Sequence, residues 1–325
     1  MMGIWFSTGE TRMSLSPFFT LLTHEGLLAV RGSDAGKFLQ GQLTCNINYL
    51  SDSHSSLGAR CNVKGRMQSS FRIVSQGDGF LLAMDQQLLA GQLADLQKYA
   101  VFSKSRLSDE SQAWVRIGLH QGEALLEQLG LLPGEQPGAV ARQGERLAIR
   151  LDSTRCELWL PAGEQHAVLA TLGEQLGEGS LQAWLLLQIR AGIGQVFAAS
   201  RELFIPQMIN LPAVDGVSFK KGCYTGQEIV ARMQYLGKLK RRMYRLALRD
   251  APLPAVACEL FSPVHGSSVG EVVLAASVDG DTELLAVVQE DAVKDSRLHL
   301  GSLDGPDLHM LDLPYVVDAD REIQR

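Results

Sequence analysis

Residues 220–228 read Lys-Lys-Gly-Cys-Tyr-Thr-Gly-Gln-Glu, and more than any other stretch they indicate the fold. Thr225 and Glu228 have the Ser/Thr-x-x-Glu spacing of a capping box, and apolar residues follow, so a helix is predicted to begin here. Cys223 would then precede a helix N-terminus, where the helix dipole and two neighbouring lysines favour a thiolate over a thiol. Alternatively, Cys223 is a small buried residue beside a helix cap.

The other residues of this motif have functional and structural interpretations. Glu228 either caps the helix or orients the cysteine loop. Tyr224 is a candidate for cofactor binding and is expected to pack rather than react. Gly222 leaves the backbone room to approach a ligand. Basic side chains pair well with carboxylates and phosphates. Those placed to do so here are Lys220, Lys221 and Arg232.

Composition is typical of a globular protein, with 325 residues, of which 46 % are hydrophobic and 20 % charged. No apolar run approaches the ~18 residues that a membrane span needs, and residues 1–15 are expected to form a flexible leader without a secretory signal. The five cysteines are scattered, odd in number and without C-x-x-C spacing. This pattern argues against disulfides and a structural zinc site, favours a reduced cytoplasmic setting, and predicts no bound metal.

Charge is distributed unevenly, because residues 220–245 contain eight basic side chains and one acid, although the whole chain has a net charge of −6. A basic stripe on an acidic protein is typical of a site for an anionic partner, such as a polyglutamate tail, a phosphate or RNA. The alternative is a solvated face of a helix and a strand. A tRNA-binding module would use the basic residues Lys238, Lys240, Arg241, Arg242 and Arg245.

Apolar periodicity predicts an α+β fold in three parts. Residues 16–108 and 109–240 each show the strand and helix order of a ferredoxin-like split βαβ unit. Residues 241–325 show the short strands and turns of a small antiparallel β-barrel.

Several elements are predicted individually within these parts. The first unit should contain a hairpin around residues 77–79 and a helix over residues 88–99, followed by a strand that begins at Val101. A helix is predicted over residues 180–193, and the last strand of the barrel near residues 311–316.

Residues 219–232 resemble the signature of the YgfZ family of bacterial folate-binding proteins, through the sequence Phe-Lys-Lys-Gly-Cys-Tyr-Thr-Gly-Gln-Glu-Ile-Val-Ala-Arg. This family lies in the superfamily of the glycine-cleavage aminomethyltransferase, or T-protein. Three further segments resemble family motifs and occur in family order. They are residues 41–44, 98–104 and 189–211.

The resemblance implies a ring of three domains around a central folate-type cavity, with tetrahydrofolate or a derivative as cofactor. It implies a monomeric accessory protein that supports iron–sulfur cluster assembly or repair, and thereby tRNA modification by iron–sulfur enzymes. Its partners would be those enzymes or assembly proteins, with tRNA as a further candidate. Trp184 matches a folate-linked tryptophan of the family, although it is equally suited to core packing. Given this resemblance, Cys223 is the leading candidate for a reactive residue.

Two departures from the superfamily pattern bear on activity. In the T-protein an acidic residue after a Gly-x-x motif is the catalytic carboxylate, whereas Gln68 occupies the matching position here. Without that carboxylate, folate-dependent one-carbon transfer loses its proton acceptor, which leaves such a transferase as an alternative function. A second pterin-stacking tryptophan is replaced by the run His-Glu-Gly-Leu at residues 24–27. Lys64 and Arg66 are further candidates for lining the cavity.

Overall fold

The computed structural model describes residues 15–294 and 297–316, so the predicted leader lies almost wholly outside the described residues. Its α-helices are α1 (Ala35–Gln40), α2 (Gln86–Tyr99), α3 (Glu123–Gln128), α4 (Gln165–Gly173), α5 (Leu181–Arg190), α6 (Gln227–Tyr235) and α7 (Glu290–Lys294). Its strands are β1 (Phe18–Leu21), β2 (Glu25–Arg31), β3 (Ser56–Cys61), β4 (Met67–Gln76), β5 (Gly79–Asp85), β6 (Arg106–Asp109), β7 (Trp114–His120), β8 (Val140–Gln143), β9 (Arg146–Arg150), β10 (Arg155–Pro161), β11 (Gly177–Glu178), β12 (Arg241–Leu248), β13 (Glu259–Phe261), β14 (Gly270–Val278), β15 (Asp281–Gln289), β16 (Leu298–Leu300) and β17 (Asp307–Leu311). None of these helices is long and apolar enough to cross a bilayer.

The first sheet has the strand order β3-β4-β5-β2-β6 and is antiparallel throughout. Strands β2, β4, β5 and β6, with helices α1 and α2, have the connectivity of a split βαβ unit, and β3 extends one edge. The predicted hairpin is confirmed, because β4 and β5 pair from Gln76 and Gly79 back to Arg72 and Ala83. The predicted helix is confirmed as α2, which buries Leu96.

The second sheet has the strand order β11-β1-β7-β10-β9-β8, in which β1 and β11 run parallel. Strands β7 to β11 form the second split unit, and β1 is inserted between β7 and β11. A strand from the start of the chain therefore belongs to the second sheet, which differs from the predicted division at residues 108 and 109. Burial explains the placement, because Phe18 and Phe19 of β1 are 6 % and 7 % exposed.

The two sheets face each other across a shared apolar core. Leu27 and Leu81 of the first sheet pack in one cluster with Ile149 and Trp159 of the second. Ala183 and Trp184 of helix α5 join the same cluster, which places any cavity between the sheets beside α5.

The C-terminal strands close into a barrel with the order β12-β15-β14-β13-β16-β17, which confirms the predicted antiparallel barrel. Alternating apolar residues fill its interior, including Leu246, Val272 and Leu284. Helix α5 contacts β14 and β15 of the barrel as well as β1. The helix predicted over residues 180–193 is confirmed as α5, although it ends at Arg190 and Ser180 is its cap, which accepts a hydrogen bond from the Ala183 N–H. Helix α5 thus joins all three parts.

Two predicted strand positions are wrong. Val101 and Phe102 lie in a turn, and Phe102 is fully exposed, because β2 ends at Arg31 and its pairing with β6 begins only opposite Arg106. Residues 101–102 therefore have no neighbouring strand with which to pair. The last described strand, β17, begins earlier than predicted, at Asp307.

Candidate functional site

An inner pocket of about 60 Å³ lies between the two sheets and is lined by charged side chains from both. The first sheet contributes Glu25 and Arg72, and the second contributes Arg116, Arg155 and Glu157. The pocket therefore forms only when the sheets pack together.

Arg116 organises this inner pocket through two buried ion pairs. Its Nη1 lies 2.5 Å from Glu25 Oε2, and its Nη2 lies 2.6 Å from Glu157 Oε2. The Trp159 indole N–H also donates to Glu157 Oε2 at 2.7 Å. Burial alone would lower the pKa of Arg116, but the two carboxylates outweigh burial and raise it. Burial alone would raise the pKa of Glu25, but attraction to Arg116 outweighs burial and lowers that pKa. Arg116 and Glu25 are therefore both charged at neutral pH.

Trp184 lies at the boundary between this pocket and the core. Its side chain is 2 % exposed, and Gly118 packs so closely on the indole that an added Cβ would lie 2.7 Å from Cε3. The guanidinium of Arg155 lies 5.4 Å from the ring centroid. Arg155 Nη2 is buried and has no hydrogen-bond partner among the described residues, so a donor beside the pocket is left unused.

Two larger pockets lead outward from the inner one. The first, of about 650 Å³, shares Arg72 and Arg155 with the inner pocket and is also lined by Arg190. The second, of about 690 Å³, shares His54 with the first and is lined by Lys220. Shared lining residues thus connect Trp184 at one end with Lys220 at the other.

The Cys223 loop, residues 220–226, presents its cysteine to solvent. Lys221 anchors the loop, because its buried Nζ donates to the carbonyl oxygens of Leu43 at 2.6 Å and Cys45 at 2.7 Å. The ammonium also lies 5.1 Å from the ring centroid of Tyr224. Burial lowers the pKa of Lys221 to about 8. This cation therefore faces the protein interior rather than a ligand, which corrects the expectation for Lys221.

The segment 41–45 forms the surface on which the Cys223 loop rests. The Thr225 N–H donates to the Gly41 carbonyl at 3.2 Å, and the Ser218 N–H donates to the Thr44 carbonyl at 2.9 Å. The buried Thr44 hydroxyl donates to the Gly216 carbonyl at 2.7 Å. Two of the sequence motifs, residues 41–44 and 219–232, are therefore physical partners.

The predicted capping box is wrong. Helix α6 begins at Gln227, its N-cap is Gly226 with φ of 83°, and no side chain caps it. Gly226 packs against the 61–66 turn, where a Cβ would lie 2.4 Å from the Asn62 carbonyl oxygen. That close approach requires glycine at the cap and leaves Thr225 outside it. Glu228 is exposed in the first helical turn.

The remaining predicted residues of the motif are divided between interior and surface. Tyr224 is buried, as expected for a packing residue, and burial raises the pKa of its hydroxyl. Gly222 is exposed, and a Cβ there would meet nothing within 4 Å. Arg232 is exposed on α6 and lines none of the three connected pockets.

Three arginines of the predicted basic stripe are paired with glutamates in the barrel. Arg241 pairs with Glu271 at 3.0 Å, Arg242 with Glu290 at 2.9 Å, and Arg245 with Glu283 at 2.6 Å. These acids come from β14, from β15 and from the start of α7, so the local sequence around the arginines gives no sign of them. The exposed cations of the stripe are Lys220, Arg232, Lys238 and Lys240.

The side chain of Gln68 is hydrogen-bonded to a carboxylate. Its Nε2 donates to Glu202 Oε1 at 3.1 Å, and Glu202 has a left-handed backbone with φ of 63°. The hydrogen bond from Gln68 lowers the pKa of Glu202. Lys64 is exposed, and Arg66 donates to the Leu203 carbonyl, so neither lines the inner pocket.

Sequence reasoning missed the charged residues of the inner pocket. Arg116 and Glu157 each lie between apolar neighbours on a strand, and such an interrupted apolar run is the one local signal available. Their convergence with Glu25 depends on sheet packing. Within residues 15–294 and 297–316, no group of three or more His, Cys, Asp or Glu side chains is arranged to hold a metal ion.

Comparison with curated proteins found relatives along nearly the whole chain. The tRNA-modifying protein YgfZ of Serratia proteamaculans (strain 568) is 36 % identical over 312 residues, which are 93 % of this chain and 94 % of that protein. The tRNA-modifying protein YgfZ of Escherichia fergusonii is 34 % identical over 322 residues, which are 96 % of each chain. A comparison with models of protein families found no match.

Among solved structures, the glycine cleavage system aminomethyltransferase T from Bartonella henselae superposes with a TM-score of 0.67. The alignment covers 92 % of this chain and 86 % of that one at 19 % identity, so the likeness shows the fold. The fold is that of the aminomethyltransferase, and the curated relatives match about a third of the residues over more than nine-tenths of the length. The chain therefore belongs to the YgfZ family.

Proposed function

We propose that this protein binds tetrahydrofolate or a derivative in the connected pockets and supports the assembly or repair of iron–sulfur clusters. Through that activity it would sustain tRNA modification by iron–sulfur enzymes in the cytoplasm. The observation that carries the proposal is an exposed cysteine on an anchored loop beside a charged cavity. The curated relatives are named tRNA-modifying proteins, which supports the proposed effect on tRNA modification.

The inner pocket has donors and acceptors that fit a pterin. Arg155 Nη2 is an unused buried donor, and Glu157 Oε1, whose ion-pair partner Arg72 Nε lies 3.9 Å away, can accept a hydrogen bond from an amino group. The adjoining pocket of about 650 Å³ provides the room that the inner pocket lacks. At the far end, Lys220 is placed to pair with an acidic glutamate tail. Bound tetrahydrofolate would supply one-carbon chemistry.

Cys223 is proposed as the residue that meets the cluster or its sulfur. Its exposure gives a large partner access, and loss of the thiol proton would yield a thiolate able to ligate iron or attack an electrophilic sulfur. Cys45 and Cys61 are buried, and burial raises their pKa to about 11 and about 12. These thiols are therefore poor ligands and poor nucleophiles.

A folate-dependent one-carbon transferase is the second candidate. Its motivating observation is Glu202, which brings a carboxylate within hydrogen-bond distance of Gln68, the position where the superfamily places its catalytic acid. Turnover of methylenetetrahydrofolate with an amine acceptor, lost in Glu202→Gln, would favour this candidate. A tRNA-binding module through residues 238–245 is disfavoured by the three arginine–glutamate pairs.

Complementation of a strain that lacks its own family member tests the proposal. The wild-type gene should restore thiomethylated tRNA nucleosides, measured by mass spectrometry, whereas Cys223→Ala should not. Cys258→Ala is the matched control, because that cysteine is half-buried in the barrel and distant in sequence from the motif. Equal rescue by Cys223→Ala would remove Cys223 from the proposal.

Folate binding has a separate test. Titration of the purified protein with tetrahydrofolate under anaerobic conditions should quench tryptophan fluorescence, because Trp184 borders the inner pocket. Arg155→Met should weaken binding by roughly tenfold, as expected for the loss of one charged hydrogen bond. Unchanged affinity in this variant would place the ligand elsewhere.

A further inference from the structure

Helix α6, which follows the Cys223 loop, leaves one side exposed. Glu228, Arg232 and Tyr235 are spaced by four and three residues, so they lie on the same helix face. Tyr235 is 52 % exposed, and Leu236, which follows the helix, is 83 % exposed. Exposed apolar side chains therefore occur at the C-terminal end of the helix that follows the Cys223 loop.

The turn over residues 61–66 presents a further apolar side chain beside α6. The Asn62 side chain fixes this turn by accepting hydrogen bonds from the N–H groups of Lys64 at 2.9 Å and Arg66 at 3.1 Å. Gly65 packs on α6, where a Cβ would lie 3.0 Å from Ile229 Cβ. At the tip, Val63 is 77 % exposed. Hydrogen bonds within the turn therefore hold Val63 in its exposed position.

The surface around these side chains is basic. We define the Cys223 face as the 61–66 turn, the Cys223 loop and the exposed side of α6 with the residues up to 240. Lys220, Arg232, Lys238 and Lys240 are exposed there, and none forms an ion pair within the described residues. Lys64 is offset by nearby Glu202, and Glu228 is the acid on α6. The Cys223 face thus combines exposed apolar side chains with an excess of positive charge.

We propose that the Cys223 face is the docking surface for a partner protein with an acidic rim around an apolar patch. The inference rests on the proposed function, since it names the kind of molecule that meets Cys223. Val63 and Leu236 would provide the buried contacts. Arg232, which lines none of the connected pockets, would pair with an acid at the rim and accelerate encounter.

The chemistry of the face favours a protein over RNA. Its two most exposed apolar side chains, Val63 and Leu236, are aliphatic and offer no ring on which a base can stack. The ring of Tyr235 already packs edge-on against Phe219, with centroids 5.9 Å apart. The neighbouring barrel arginines, which would otherwise bind phosphates, are paired with glutamates.

The test uses the apo form of a purified radical iron–sulfur enzyme that makes thiomethylated tRNA nucleosides, immobilised for interferometry. The docking variants are the double variant Val63→Asp with Leu236→Asp, and Arg232→Glu. Phe102→Asp is the matched control, because Phe102 is fully exposed and apolar but lies outside the Cys223 face. Unchanged melting temperatures and an unchanged rate of Cys223 alkylation by iodoacetamide will show that each variant keeps its fold and its accessible thiol.

Binding to the apo-enzyme should weaken about tenfold or more in both docking variants and stay unchanged in Phe102→Asp. Wild-type affinity in the docking variants, or no binding by the wild type, would overturn the proposal. So would salt-sensitive binding to unmodified tRNA that the docking variants abolish, because the partner would then be RNA. In the complementation assay, failure of Cys223→Ala with full rescue by the docking variants would reject the docking surface and leave the proposed function standing.

Discussion

The Nζ atom of Lys221 lies 2.6 Å from the carbonyl oxygen of Leu43, so a buried ammonium joins the Cys223 loop to the segment after α1. The contact joins residues 178 positions apart in the chain. It explains why a motif with two adjacent lysines leaves one of the two side chains for a ligand. The neighbouring Lys220 remains exposed at the outer pocket.

Lys221 should make stability depend on pH. Its pKa falls from 10.5 to about 8 on folding because the charged form is buried, so the unfolded chain binds more protons between these values. Wild-type stability should therefore rise relative to Lys221→Met by about 2 kcal/mol between pH 7 and pH 9.5. Urea unfolding of both proteins across this range measures the difference. A difference that stays constant with pH would show that the ammonium is not desolvated.

Gly226→Ala should destabilise the protein, whereas Gly222→Ala should not. A side chain at residue 226 would be strained at φ of 83° and would lie 2.4 Å from the Asn62 carbonyl oxygen. We expect a loss of at least about 2 kcal/mol in the free energy of unfolding. Gly222 is the matched control in the same loop, with nothing within 4 Å of an added Cβ. Equal stabilities would contradict the described contact with the 61–66 turn.

Thr44→Val should weaken the support of the Cys223 loop. The Thr44 hydroxyl donates to the Gly216 carbonyl at 2.7 Å and accepts from the Ala59 N–H at 2.8 Å, in a fully buried position. Removing it leaves both backbone groups unpaired and should cost roughly 2–4 kcal/mol. Hydrogen exchange should become faster over residues 216–226. Thr44→Ser keeps the hydroxyl and should retain protection there; similar exchange in both variants would show that the methyl group matters more.

Cysteine alkylation should follow exposure. Iodoacetamide at pH 8 should modify Cys223 first, because its side chain is exposed, and Cys258 more slowly, because burial raises its pKa. The buried thiols Cys45, Cys61 and Cys156 should stay unmodified until the protein unfolds, since burial raises their pKa to about 11, 12 and 12. Peptide mass spectrometry over time resolves the order. Early labelling of Cys61 would mean that the Cys223 loop opens readily.

Glu157→Gln should be strongly destabilising. The substitution removes one of the two carboxylates that compensate the buried Arg116, and we expect a loss of about 3 kcal/mol. Glu164→Gln is the matched control, because the ion pair of Glu164 with Arg146 is about one-third exposed and should contribute no more than about 1 kcal/mol. Thermal and urea unfolding measure both. Similar small losses would show that Glu25 alone compensates Arg116.

The sequence by itself determined the features that depend on local patterns. Apolar periodicity predicts α2 and the β4–β5 hairpin because side chains recur every 3.6 residues in a helix and every second residue in a strand. The motif around Cys223 indicates the family because its residue types are contiguous. A local pattern also failed at Thr225 and Glu228, where a capping-box spacing was present but a glycine contact with Asn62 decided the cap.

Only the tertiary structure decided which charges are free and which are paired. Glu25, Arg116 and Glu157 become one network because two sheets pack face to face, and no spacing within the chain encodes that approach. Lys221 is removed from the surface by carbonyl groups of a distant segment. Electrostatic energy depends on distances in space and on burial, and both are set by sheet register and packing rather than by neighbours in sequence.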